Sequence, residues 1–413
     1  MHRMSYWKTI VISLGITTVS AALIVVIHIT HVSGGFSTLA NVLLMATLAS
    51  SFLAVCGGAV CLWRDSLIES GKLDPIGASL NRVPSPGFLS TLGLRSLLGS
   101  APRPGDIVEV KSLAEIQATL DADSALDGLP FMSEMHAYCG RAFRVHRRVD
   151  KIFDMRHLSG MRCIRDVVTL AAVRCNGTAH DGCQAECQIL WKDAWLRRLP
   201  ASTPVDMCIS TDHVITQAVE KFEPDGYICQ MTRLWESSQP MSRFDIRQDL
   251  RPLLLGNVSL VAYVIALLTR LFIVFQQYRR GAGFPHMPDR LALKLPEQPP
   301  QPGLSLGQRV MVQSRAHISQ TLINNRTKGL YYDRDMVRFC GNESVVQMRV
   351  ERVIHEATGK MVVMKTPSWI LRDFTATGEF HRLCPQHEHI FWREAWLRSA
   401  DIAPQATSTS TRI

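Results

Sequence analysis

One block of sequence occurs twice in this chain of 413 residues, with the copies about 201 residues apart. Two copies of one block fold into two copies of one unit, so this repeat constrains the fold more than any other feature. We place the copies at residues 103–200 and 305–400. The matching segments are Gly105–Ser112 with Gly307–Ser314, Thr119–Leu120 with Thr321–Leu322, Gly128–Leu129 with Gly329–Leu330, Tyr138–Gly140 with Phe339–Gly341, Val145–Ile152 with Val346–Val353, and Trp191–Arg197 with Trp392–Arg398.

Within each copy, apolar residues alternate along several short stretches, such as Val108 and Val110, which is typical of strands. Short helices are predicted at Ala114–Leu120 and Met132–Tyr138, and another at Trp191–Leu199. The sequence therefore predicts an α+β fold with two homologous, small, β-rich domains. An SH3-like barrel with helical additions is the candidate architecture.

The remaining segments frame these two domains. The residues before the first copy are polar and contain Gly, Pro and Ser, and those at the C-terminus are rich in Ser and Thr. We predict a transmembrane hairpin at 1–65, a neck at 66–102, a connector at 201–304 and a disordered tail at 401–413.

Two long apolar runs occupy the first part of the chain, Ile10–Ile29 and Leu39–Trp63. Each is long enough to span a hydrocarbon core of about 30 Å, and so short a connection between them predicts a helical hairpin. Positive residues lie outside the hairpin and the loop carries no charge, which predicts that both domains lie on the cytoplasmic side of the inner membrane. These positive residues are Arg3, Lys8, Arg64 and Lys72.

A third apolar stretch, Leu253–Phe275, contains Asn257 and Arg270. An Arg at the bilayer centre costs about 3 kcal/mol on insertion scales, and basic residues flank both ends of the stretch. These features favour an amphipathic helix in the membrane interface over one that crosses, with a buried soluble helix as the alternative. Two copies with the same thiol chemistry also belong in one compartment, which again argues against a crossing between them.

Five of the 11 cysteines fall in the first copy. A cytoplasmic location disfavours disulfides and leaves metal binding, redox chemistry or burial. The loop from Cys175 to Cys187 contains a Cys-x₃-Cys pair and two glycines that let it fold back. We predict a tetrahedral zinc site there. An iron–sulfur cluster with Cys229 as a ligand is the alternative cofactor. The predicted ligands are Cys139, Cys175, Cys183 and Cys187, with His180 as a substitute.

The second copy keeps fewer thiols. Thr375 is aligned with Cys175, and Glu388 with Cys187. Histidines crowd the same loop, so the pattern fits either a weaker metal site or a site that has decayed into a packed core. The candidate ligands of the second copy are Cys340, Cys384, His387 and His389.

The net charge of +9 allows an anionic membrane surface or a nucleic acid as partner. Basic residues form small clusters, of which Arg144, Arg147, Arg148 and Lys151 are one. Aromatic residues do not alternate with these clusters as they do in single-strand binders, so nucleic acid is disfavoured. We expect a solvated basic face here.

Gly128–Phe131, Tyr138–Gly140, the Cys-rich loop and Trp191–Leu196 occur in an order that resembles a set of uncharacterised bacterial membrane-anchored proteins with this domain in tandem. The resemblance covers roughly residues 103–400 and implies architecture, with no activity to carry over. We expect a non-enzymatic metal-binding module that serves as scaffold or accessory factor in an envelope or biosynthetic assembly, with protein partners. The alternatives are a metal- or thiol-dependent enzyme that uses the Cys175–Cys187 loop, with His180 as base, and an adaptor for nucleic acid or anionic lipid.

Overall fold

The computed structural model describes residues 35–81, 101–154, 156–205, 226–242, 244–285 and 303–400. The first predicted apolar helix, Ile10–Ile29, lies outside the described residues, as do Cys208 and the tail at 401–413.

The first copy forms an antiparallel sheet in the order β6-β5-β4-β1-β7, and a short strand, β8, also pairs with β5. Two long strands, β4 and β5, dominate it and bury apolar side chains on both, such as Val145 on β4 and Val168 on β5. The strands are β1 Ile107–Val110, β2 Ala125–Leu126, β3 Leu129–Pro130, β4 Ala142–Phe153, β5 Met161–Arg174, β6 Gln188–Lys192, β7 Leu196–Leu199 and β8 Gln239–Pro240.

The second copy forms a sheet with the corresponding order, β14-β13-β12-β9-β15. In both sheets the last strand returns to pair with the first. Helices and sheets together make the chain α+β, as predicted. The strands of the second copy are β9 Arg309–Val312, β10 Arg326–Thr327, β11 Leu330–Tyr331, β12 Glu343–Ile354, β13 Met361–Thr375, β14 His389–Trp392 and β15 Leu397–Ser399.

Short helices lie beside the sheets, and two long helices lie outside the copies. The helix at the start of the first copy begins at a Ser112 N-cap with a Glu115 capping box. The α-helices are α1 Gly35–Glu69, α2 Pro75–Asn81, α3 Leu113–Gln117, α4 Arg247–Leu254, α5 Leu260–Tyr278, α6 Arg315–Thr321 and α7 Arg334–Val337. The 3₁₀ helices are Ser133–Tyr138, Thr178–His180, Asp193–Trp195, Glu379–His381 and Glu394–Trp396.

Four tryptophans fill the two cores: Trp191 and Trp195 in the first copy and Trp392 and Trp396 in the second, each fully buried. The indole of Trp195 donates to Thr119 Oγ1 at 3.1 Å. The predicted helix at Trp191–Leu199 is wrong. Its backbone pairs with β5 and β1 instead, so this segment is the end of β6, a 3₁₀ turn and β7.

The predicted solvated basic face on β4 is wrong for three of its four residues, because Arg147, Arg148 and Lys151 are buried and only Arg144 is exposed. Arg147 donates to the backbone carbonyls of Leu80 and Asn257, and Lys151 donates to that of Arg382 at 2.6 Å. These cations hold the connector and the second copy against the first, and they are not available to a nucleic-acid backbone.

Within the described residues, two helical segments are long and apolar enough to cross a membrane, Ser51–Glu69 and Leu260–Tyr278. They pack closely, since a Cβ at Gly57 would lie 2.7 Å from the Leu268 carbonyl oxygen. The second predicted apolar run, Leu39–Trp63, is confirmed as helical because it lies within α1.

The end of α1 is buried in a cluster of charges. Arg64 is fully buried and contacts Asp74 and Glu379, the second at 2.6 Å. Arg338, the residue that caps the C-terminus of α7, contacts the same Glu379 at 2.9 Å and Asp335 at 2.8 Å. The predicted positive flank of the helix is therefore an internal link between α1 and the second copy.

Candidate metal centre

The loop between β5 and β6 carries the thiols singled out in the sequence. Its ends meet where the Cys175 N–H donates to the Cys187 carbonyl at 2.9 Å. Gly177 adopts a left-handed φ of 71°, and a Cβ there would lie 1.9 Å from the Cys183 carbonyl oxygen. Only glycine fits this position, and the turn that it permits brings His180 back over Cys175.

Three potential ligand atoms meet inside this turn. The carboxylate, thiol and imidazole of Glu134, Cys175 and His180 place one atom each within 4.8 Å of the other two. The Cys175 thiol donates to Glu134 Oε1 at 3.2 Å, and His180 Nδ1 lies 3.4 Å from the same oxygen. No other group of three or more such residues was found in the described part of the chain.

The histidine geometry suits a ligand. Nε2 of His180 lies 3.2 Å from the Ile228 carbonyl oxygen, so this nitrogen carries the proton in the neutral ring and donates it. Nδ1 faces Glu134 and either donates to it as N–H or offers a lone pair to a cation, and histidines that bind metals commonly donate their other ring N–H to a carbonyl in this way. Two acceptors facing each other at 3.4 Å need a proton or a cation between them.

Glu134 has no full set of partners. Its side chain is 2% accessible, and its Oε2 has no hydrogen-bond partner among the described residues. A buried carboxylate is costly without a compensating charge or hydrogen bonds. The sequence analysis missed Glu134, which lies 41 residues from Cys175 in the chain. The one signal was an acidic residue at the equivalent place in the second copy, Asp335.

Burial also determines the state of the thiols. It raises the pKa of Cys175 well above the ordinary thiol value, and the neighbouring Glu134 adds to the effect. Burial likewise raises the pKa of Cys187 well above that value, and the pKa of Cys229 to about 11. These thiols are protonated at neutral pH unless a cation lies beside them.

Of the three other cysteines predicted as ligands in the first copy, two line a cavity and one does not. Cys183 and Cys187 line a cavity of about 540 Å³ between the two copies, together with Cys175, His180 and Cys229. Cys183 Sγ accepts a hydrogen bond from the Ile354 N–H of the second copy at 3.4 Å. Cys139 does not line this cavity and packs against the core of the first copy. The arrangement of four cysteines that includes Cys139 is therefore replaced by Glu134, Cys175 and His180.

The predicted ligands of the second copy do not come together. Cys340 lies in the core, 3.3 Å from the Tyr332 hydroxyl, and Cys384 contacts Gln386. His387 packs edge-on against His146 of the first copy, and His389 lies 3.2 Å from a carboxylate oxygen of Glu186.

The alignment of Thr375 with Cys175 is also corrected. The Ala376 N–H donates to the Glu388 carbonyl at 2.9 Å, as the Cys175 N–H does to Cys187. Alanine therefore occupies the place of Cys175 and offers no ligand atom.

Asp335 is the counterpart of Glu134 in the second copy, and it has a charged partner that Glu134 lacks. Asp335 accepts hydrogen bonds from Arg338 at 2.8 Å and from the Thr377 hydroxyl at 2.8 Å. By the offset of the repeat, Ala137 stands where Arg338 stands. The first copy therefore keeps the buried acid but replaces its arginine with an alanine.

The thiol loop is also the main bridge between the copies. The Gln184 N–H donates to the Arg352 carbonyl at 3.0 Å, and the Gln184 side chain accepts from the Glu351 N–H at 2.7 Å. Gln347 donates to Glu186 at 2.9 Å. A substitution that moves the loop therefore alters its hydrogen bonds to β12.

No family model matches this chain, no curated protein matches it, and no solved structure matches it. The chemistry of the site thus rests on its own geometry.

Alanine substitutions at the two loop glycines distinguish the cost of a left-handed backbone from the cost of a steric clash with the loop. Gly182 has a φ of 73° with open space around it, whereas Gly177 has a similar φ but faces the Cys183 carbonyl. We expect Gly182→Ala to lower the free energy of unfolding by about 1–2 kcal/mol, and Gly177→Ala by about 1–3 kcal/mol more. Chemical denaturation of the full chain in detergent measures both. Equal losses would contradict the closed loop described here.

Proposed function

We propose that this chain is a membrane-associated, non-enzymatic metal-binding protein whose first copy holds one zinc ion on Glu134, Cys175 and His180. The observation that carries the proposal is the buried Glu134, whose counterpart Asp335 has an arginine partner that the first copy lacks. A dication supplies the missing charge and accepts the thiolate, the carboxylate oxygen and the free imidazole nitrogen together.

Zinc fits this donor set best. Carboxylate, thiolate and imidazole are its usual protein ligands, and it favours four-coordinate tetrahedral sites. The fourth coordination position of the zinc ion would face the cavity between the copies. Cys187 and Cys229 also line this cavity. An iron–sulfur cluster on the four thiols that line the cavity is the alternative, and metal analysis separates the two.

A thiol enzyme fits less well. A nucleophilic cysteine needs a low pKa and a nearby positive charge. Burial raises the pKa of Cys175 and Cys187 instead, and Glu134 and Glu388 respectively add to the increase. The scaffold role in a bacterial envelope or biosynthetic assembly, with protein partners, therefore remains our preferred interpretation.

Membrane association is the second part of the proposal. One face of α5 is buried along the whole helix, from Ala262 to Gln276. The opposite face exposes apolar side chains at helical spacing, including Val261 at 69%, Val264 at 43% and Val274 at 53% accessibility. Such a helix lies in the membrane interface with its outer face toward lipid. From the positive-inside pattern of the sequence, we propose that the two copies lie on the cytoplasmic side of the inner membrane.

Metal content tests the site. We expect about one zinc ion per purified full chain in detergent, and the same for Cys139→Ser, whose thiol lies outside the cavity. Glu134→Gln and Cys175→Ser should each weaken zinc binding by roughly a hundredfold, since losing an outer-shell partner alone costs about 10- to 100-fold. Elemental analysis and competition with a chromogenic chelator measure this. Unchanged affinity in both variants, or iron with sulfide in place of zinc, would refute the zinc site.

The affinity for zinc should also depend on pH. Burial and Glu134 raise the pKa of Cys175, so the thiol holds its proton at neutral pH until zinc displaces it. Each zinc ion bound then releases that proton, and the apparent affinity should fall about tenfold for each unit from pH 8 to pH 6. Chelator competition across this range measures the slope. A flat profile would show that Cys175 does not bind as a thiolate.

Lipid contact tests the membrane proposal. Val261 on α5 and Val363 on β13 are equally exposed, at 69% and 68%. A photoreactive diazirine amino acid at Val261 should cross-link to phospholipid in reconstituted vesicles, and the same amino acid at Val363 should not. Mass spectrometry of the adducts reads this out. Equal labelling at both positions, or none at Val261, would remove α5 from the membrane interface.

A further inference from the structure

The second copy contributes two carboxylates to the wall of the cavity, and one of them, Glu356, is exposed to solvent. Glu356 lies in the turn after β12, and Glu388 lies just before β14. Among the described residues, Glu356 forms no ion pair or side-chain hydrogen bond. Glu388 accepts from the Gln188 N–H at 3.2 Å, and 31% of its side chain remains accessible.

A third acceptor belongs to the first copy. Gln188 lines the same cavity and is only 5% exposed, yet its Oε1 has no hydrogen-bond partner among the described residues. A buried amide oxygen without a partner costs free energy that a donor from a ligand would recover. Two carboxylates and the side chain of Gln188 therefore line one cavity, and only Glu388 accepts a hydrogen bond from the described residues there.

The cations around the cavity are engaged elsewhere. Arg174 approaches Glu388 only to 3.8 Å and donates at 2.7 Å to the carbonyls of Glu186 and His387. Arg156, which lines the cavity, pairs with Glu236 at 3.5 Å. Arg174 therefore offsets part of the charge of Glu388, and Glu356 is the carboxylate of this wall that no described cation pairs with.

The rest of the lining is apolar. Met132 comes from the first copy, Met231 from the connector, and Val353, Val362 and Phe391 from the second copy. The volume of about 540 Å³ falls within the roughly 300–1,000 Å³ of small-molecule sites. An occupant must bury an apolar body and present several N–H donors with a positive charge.

We propose that this cavity binds a small organic cation, an apolar body with a primary ammonium group that is held by Glu356, Glu388 and Gln188. The ammonium donates to the two carboxylates and to the amide oxygen, and the body packs against the methionine and phenylalanine side chains. This recognition does not depend on the metal, which lies on the wall formed by Glu134, Cys175 and His180.

The test uses the full chain in detergent and two probes of one shape, benzylamine and benzyl alcohol, with butylamine and hexylamine as further amines. Saturable binding measured by calorimetry should be at least tenfold tighter for an amine than for the alcohol. Glu388→Gln and Glu356→Gln should each weaken it at least tenfold, whereas Glu351→Gln, an exposed acid on β12, should not change it. Circular dichroism checks that the variants fold.

The Cys175→Ser variant separates the two proposals. Amine binding that survives in this variant supports recognition by the carboxylates, whether or not zinc is lost. Amine binding lost with the thiol, but unchanged in the two Gln variants, would mean coordination to the metal and would overturn the proposal. Equal binding of the amines and the alcohol, or no binding of any amine, would overturn it as well.

Discussion

Two buried carboxylates, Glu134 and Asp335, lie at equivalent positions of the repeat, and each needs partners that compensate its negative charge. A carboxylate removed from water must be given hydrogen bonds and a positive charge, or the fold loses several kcal/mol. In the second copy Arg338 provides that charge. Arg338 also shares Glu379 with Arg64 from the end of α1.

The same charge cluster also contacts the long helices α1 and α5. Arg64 donates to the Thr269 hydroxyl on α5 at 3.0 Å as well as to Glu379. Its guanidinium lies over the ring of Phe284, 4.8 Å from the centroid. The charge cluster and the apolar side chains of Cys61, Ile68 and Phe272, which pack into the core of the second copy, together hold α1 and α5 to its surface. The first copy has a buried glutamate at the equivalent position, in a 3₁₀ helix, and this Glu134 contacts Cys175 and His180 where Asp335 contacts an arginine.

The sequence was sufficient for the repeat, the strands and the thiol loop, because these depend on patterns within one segment. It failed at Trp191–Leu199, where the spacing of two tryptophans suits a helix but pairing with β1 and β5 decides the structure. It failed at Cys139 and Glu134 for a related reason: the spacing of thiols in one loop cannot reveal a carboxylate from a distant 3₁₀ helix. The acceptor wall of the cavity was equally hidden, since Gln188 and Glu356 meet only when the copies pack together.

The packing of the copies also bears on how α5 meets a membrane. The two copies are joined directly by Gln184 and Arg352, so no bilayer can pass between them. Asn257, just before α5, exchanges hydrogen bonds with the Arg148 backbone of the first copy. Phe284, just after α5, packs on Phe380 of the second copy. A helix whose two ends are fixed to one joined body begins and ends on the same side of a membrane. The position of α5 is therefore set by its attachment to both copies at its two ends.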